Sequence, residues 1–199
     1  MKITIPESIN DITLGAFQKY HELLQREDLQ QFDFDKRKIE IFTALKREDI
    51  SNIKQSDFKF IIEKIDIALE QNVEFEPTFK IKDVEFGFIP NLDKISTGEF
   101  VDLRKYDVGV ETLHNLMAIL FRPILKKDSF NNYKIIDYKG TEQYANIMKQ
   151  MPLSKVNGAL VFFWNLARES TNYTQKYMEE VQVRESKRRS TSKSGDGMQ

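Results

Sequence analysis

The stretch Gly87–Arg122, GFIPNLDKISTGEFVDLRKYDVGVETLHNLMAILFR, decides how this chain is read. Ile89-Pro90 is followed by Ile95-Ser96-Thr97-Gly98-Glu99-Phe100. An echo stands near the beginning of the sequence, where Ile5-Pro6 is followed by Ile12-Thr13-Leu14-Gly15-Ala16-Phe17. Both copies read Ile-Pro, a short polar loop, then Ile-[Ser/Thr]-x-Gly-x-Phe opening a helix. Proline lacks the amide hydrogen a sheet ladder needs, so it stops a strand. The Ser or Thr is placed to accept from an unpaired amide of the first helical turn. Ser96 and Glu99 also have the spacing of a capping box. The repeat describes a strand-to-helix joint used twice; it says how the chain is built and not what it does.

Outward from this joint, Thr78–Ile81 and Val84–Phe88 flank Lys82-Asp83, which predicts a two-residue hairpin turn. Lys2–Ile5 and Tyr133–Tyr138 read as isolated strands, which need the hairpin as partner. The rest is helical in period. Thr13–Glu27 places Leu14, Phe17, His21 and Leu24 on one face, and a polar link, Asp28–Asp33, follows. Asp35–Arg47 turns Ile39, Phe42 and Leu45 inward, and Glu48–Lys54 is a short turn or helix. Ser56 is placed to cap a helix over Asp57–Gln71, with Phe58, Ile61, Ile62, Ile65 and Leu69 inward. After the second joint and its helix, Thr97–Lys105, comes an amphipathic helix over Val110–Phe121, ended by Arg122-Pro123. Thr141 caps a helix to Met151, Pro152 breaks it, and a last long helix runs from about Ser154 to Val183. The expected fold is α+β: one mainly helical domain over 1–183 with a small sheet, and a candidate sub-boundary near 72–77.

Composition narrows the function. The chain has 199 residues, a net charge of −1 and no cysteine. The length supports a real core. The missing thiols exclude disulfides, thiolate metal sites and cysteine nucleophiles. Balanced charge gives no global attraction to nucleic acid or acidic membrane. No apolar run, Ala159–Trp164 included, is long enough to cross a bilayer, and MKITIPESIN lacks the apolar core of a signal peptide. A cytosolic protein is expected. Residues 184–199 carry five basic and two acidic residues and little that is apolar, which predicts a disordered cationic tail.

A search for chemistry finds no constellation. His21 and His114 lie on helices with apolar neighbours and no second ligand at metal spacing. Glu179-Glu180 and the pair Asp33 and Asp35 lie next to lysines or arginines and read as solvated charge. No nucleophile elbow, phosphate loop or dinucleotide fingerprint is present. No enzyme activity, cofactor or metal is therefore expected. Lys187-Arg188-Arg189 has no interleaved aromatics for base stacking. Val156–Ala167 is apolar almost all round, so it is either the centre of the fold or an interface. The following half, Arg168–Val183, either projects or packs on another copy.

Four blocks resemble the tail assembly chaperones of tailed bacteriophages. They are Phe88–Asp93 with Gly98–Leu103, Leu116–Ile124, Tyr138–Tyr144 leading to Met148–Leu153, and Gly158–Leu166. The likeness spans about residues 1–170, loosely, and none of the blocks is a catalytic signature. A distant similarity to baseplate-hub assembly proteins of contractile-tailed phages is also present. The resemblance implies a non-enzymatic factor of the host cytoplasm that binds the tape-measure protein and helps tail-tube protein polymerise around it. Such factors are usually absent from the finished virion, and many are made in two lengths by ribosomal frameshifting. The job requires covering the apolar stripes of a long helical client. The candidate surfaces are Phe162, Phe163 and Trp164, and the helix face with Leu113 and Met117. Burial of these residues in their own core is the competing reading. Two other functions stay open: a structural virion subunit of baseplate, connector or ring, and a small regulatory protein using its basic tail on nucleic acid.

Overall fold

The computed structural model describes residues 3–43, 45–106 and 109–165. The helices are α1 (Leu14–Leu24), α2 (Gln31–Thr43), α3 (Arg47–Ile50) and α4 (Gln55–Leu69). A hairpin, β1 (Thr78–Ile81) and β2 (Val84–Phe88), comes next, then α5 (Thr97–Tyr106) and α6 (Leu113–Leu120). The chain returns to the sheet as β3 (Phe121–Lys127) and β4 (Tyr133–Ile135) before α7 (Glu142–Met148). A further helix, α8, covers residues 153–165. The fold is therefore α+β, dominated by helices around a small antiparallel sheet.

The two Ile-Pro joints fold alike. Each proline leads into one 3-10 turn, over Ile9–Asp11 in the first joint and Leu92–Lys94 in the second. Each turn delivers a capping hydroxyl. Thr13 Oγ1 accepts from the Ala16 amide at 3.2 Å and opens α1. At α5 the box closes both ways: the Glu99 amide donates to Ser96 Oγ at 3.2 Å, and the Ser96 amide donates to Glu99 Oε2 at 2.6 Å.

The sheet has strand order β1-β2-β3-β4, every pair antiparallel. Lys82, at the hairpin turn, takes φ of 52°. The register sets Phe79 opposite Phe86 and Phe88 opposite Phe121. These rings form an aromatic core. Phe79 and Phe86 stack at 5.5 Å, and Phe121 meets Phe79 and Phe88 edge-on at 5.1 and 5.2 Å. A second cluster, among the helices, joins Ile39, Leu45, Ile50, Ile61 and Ile65. Each such buried side chain contributes about 1.5–3 kcal/mol relative to exposure.

Several expectations need correction. Ile3–Ile5 forms no strand; Ile3 and Ile5 instead pack on the Ile39–Ile65 cluster. The stretch Tyr133–Tyr138 pairs only over Tyr133–Ile135. The helix expected over Val110–Phe121 is a 3-10 turn, Val110–Thr112, followed by α6, and the chain switches to strand at Phe121. Pro123 sits inside β3 opposite Phe86. Its carbonyl accepts from the Ile136 amide at 3.0 Å, on the β4 side. In an antiparallel strand the nitrogen and carbonyl of one residue face the same neighbour, so the missing amide hydrogen spares the β2–β3 ladder. On α1 the buried positions are Leu14, Gln18 and Leu23, while Leu24 faces solvent. Ser56 lies inside α4, whose N-cap residue is Lys54, and α2 begins at Gln31, within the expected link. Thr141 is the N-cap residue of α7 but makes no side-chain cap bond.

The chain divides into two compact units, Met1–Ala159 and Leu160–Gln199. All the strands and α1–α7 belong to the first unit. Of the second, residues 160–165 are described, all helical. The helix half expected over Arg168–Val183, the Glu179-Glu180 pair and the cationic tail lie outside the described residues. No helix among the described residues is long and apolar enough to cross a membrane.

Candidate functional site

Five residues carry the sequence-based expectation of a partner surface. Phe162, Phe163 and Trp164 lie in the described part of the second unit. Trp164 is 56 % exposed and Val161 58 %; Phe162 is also exposed, whereas Phe163 is half-buried. Val161 and Trp164 are three residues apart and share one face of the helix. Apolar side chains are thus offered to solvent over one helical turn.

Leu113 and Met117 belong to the first unit and differ in role. Leu113 is half-buried, while Met117 is fully buried with Leu116, Ala118, Ile119 and Leu120. Met117 is therefore core and lines no surface of this fold, a correction to its place among the partner-binding candidates. The reason is that α6 is apolar on every side through its last turns and lies between α5, α7 and β3.

A polar network that sequence reasoning missed lies beside this core. Arg122 Nη2 donates to Glu99 Oε1 at 2.6 Å, and both side chains are buried. Glu99 thus uses one oxygen to cap α5 through Ser96 and the other to hold β3 through Arg122. The guanidinium carbon stands 5.6 Å from the Tyr138 ring centroid, and Tyr138 OH donates to Asp102 Oδ2 at 2.5 Å. Burial, with this hydrogen bond next, pushes the Tyr138 phenol well above its usual range. Arg122 Nε has no hydrogen-bond partner among the described residues. The network joins α5, β3 and the segment after β4 through charge pairing and stacking. Its sequence signal was the capping box, which identified one of Glu99's two bonds and gave no hint of the other.

The two histidine-bearing helices, α1 and α6, meet around Gln18 and Glu111. Gln18 Nε2 donates to Val110 O at 2.8 Å and Glu111 O at 3.0 Å, and lies 3.0 Å from His114 Nδ1. His21 Nδ1 lies 3.7 Å from Glu111 Oε1. Burial, reinforced by nearby Lys149, lowers the His114 imidazole below its ordinary value. Such a ring is mostly neutral at pH 7. Asp33 is exposed, and Asp35 accepts from Gln31 Nε2 at 2.8 Å. No group of three or more His, Cys, Asp or Glu among the described residues is placed to hold a metal ion. Comparison with protein-family models, curated proteins and solved structures finds no match.

Proposed function

We propose that this protein is a phage tail assembly chaperone. It binds the tape-measure protein and assists tail-tube assembly without catalytic turnover. It acts in the host cytoplasm and leaves before the particle is complete. The resemblance of four ordered sequence blocks motivates the reading. The observation that carries it is the exposed apolar turn at Val161, Phe162 and Trp164. A long amphipathic helix aggregates unless its stripe is covered, and an exposed aromatic helix face covers such a stripe by the helix-in-groove mode. Aromatic side chains are also the residues that concentrate binding energy at interfaces.

Co-expression with a phage tape-measure protein tests the reading. The client's soluble fraction rises with this protein and falls back with Trp164→Asp. Because Trp164 is more than half exposed, that substitution leaves the fold intact, which circular dichroism checks. A client equally soluble with and without this protein, together with stoichiometric recovery of the protein in purified particles, replaces the chaperone reading with a structural virion subunit.

A further inference from the structure

Two grooves flank α2, and they carry opposite charge. The first, of about 670 Å³, lies between α1 and α2. Lys19, Arg26, Arg37 and Arg47 line it against only Glu22 and Glu40, over a floor that includes Leu23 and Ile41. The second, of about 390 Å³, lies between α2 and α4. Asp35, Glu63, Asp66 and Glu70 line it against Lys59 alone, with Phe58, Ile62 and Ile67 between them. Phe32, largely exposed, packs on Phe58 with ring centroids 5.5 Å apart and holds Lys36 Nζ 4.4 Å from its own ring centroid.

Internal pairing leaves charge over on each side. In the cationic groove Arg47 pairs with Glu40 at 3.0 Å, and Arg26 pairs with Asp28 at 2.7 Å. Lys19 and Arg37 have no ion pair among the described residues. In the acidic groove Asp66 pairs with the buried Lys38, while Glu63 and Glu70 have no ion pair among the described residues. Arg37 and Asp35, two residues apart on α2, point about 200° apart around the helix axis. The grooves therefore face opposite ways, and one molecule cannot satisfy both against itself.

We propose that the cationic α1–α2 groove of one copy receives the acidic α2–α4 face of a second copy. Charge complementarity chooses the partner: each groove lacks what the other has in excess, and each has an apolar floor to bury. Because the two surfaces differ and face opposite ways, one partner copy cannot engage both, so the contact is heterologous and propagates as a ring or a chain instead of closing as a two-fold dimer. The proposal rests on these two grooves and stands apart from the chaperone reading.

Sedimentation velocity of the full chain tests it. At about 0.1 M salt the protein forms concentration-dependent species above its 23.4 kDa monomer, and at about 1 M salt, where the Debye length falls from ~10 to ~3 Å, these dissociate. Lys19→Glu with Arg37→Glu removes one surface, and Glu63→Lys with Glu70→Lys removes the other. Each double variant is monomeric alone, and mixing the two restores association, because each keeps the surface the other lost. Restoration on mixing also shows that both variants are folded. A wild-type chain that stays monomeric at low salt overturns the proposal. So does association that survives either double variant, or variants that remain monomeric when mixed.

Discussion

Glu99 and Arg122 face each other at 2.6 Å inside the first unit, each side chain less than a tenth exposed. The pair fastens the start of α5 to the second residue of β3, across a sequence gap that no local signal spans. Removing one partner leaves the other charge buried and uncompensated, which typically costs about 3–5 kcal/mol. Glu99→Ala therefore lowers the denaturation midpoint sharply. The double substitution Glu99→Leu with Arg122→Met costs less than the sum of the two single changes, because it leaves no orphaned charge. Urea unfolding of the four proteins in the cycle measures the coupling. Additive costs would show that the pair does not hold the joint.

The two joint glycines separate in their tolerance. A Cβ on Gly15 would lie 3.0 Å from the Lys149 carbonyl oxygen, the same oxygen that accepts from the Gly15 amide at 2.8 Å. Backbone cannot swing aside as a side-chain tip can, so Gly15→Ala destabilises by about 1–3 kcal/mol. At Gly98 a Cβ meets nothing closer than 3.9 Å. Gly98→Ala in the first turn of α5 is neutral or gains up to about 1 kcal/mol through reduced unfolded-state entropy. Thermal melts of the two variants give shifts of opposite sign, or a clear loss against no change. Equal losses would mean that the repeat imposes the same packing twice.

Acid weakens this protein in part through His114. Its folded pKa lies below the ordinary value of 6.5, so between those values the unfolded chain binds the extra proton. Stability therefore rises with pH across that window. The His114 contribution is fully present above 6.5 and is lost as pH falls through the window toward the folded value. The melting temperature of the wild type, followed from pH 8 to pH 5, falls more steeply than that of His114→Gln below about 6.5. Parallel curves would show that the imidazole does not contribute.

The sequence by itself determined what is local. Hairpin, helix caps and helix periods act over four residues or fewer, and the hairpin, Thr13 and the Ser96–Glu99 box stand where their side-chain chemistry placed them. Only tertiary structure decided the rest. Leu116–Leu125 is an unbroken apolar run but for Arg122 and Pro123, and such a run fits helix or strand alike; pairing of Phe121 and Arg122 with Phe88 and Gly87 made its second half β3. Ile3 and Ile5 alternate like a strand, but a hydrophobic cluster took their side chains and no strand took their backbone. The candidate surface divides in the same way. The apolar character of Met117 and of Trp164 was plain in the sequence, yet one is buried and the other exposed. Burial depends on which elements pack around a helix, and the helix's own period does not name them. The charge asymmetry across α2 was equally hidden, because Lys19 and Arg37, or Asp35 and Glu63, become neighbours only once separate helices pack side by side.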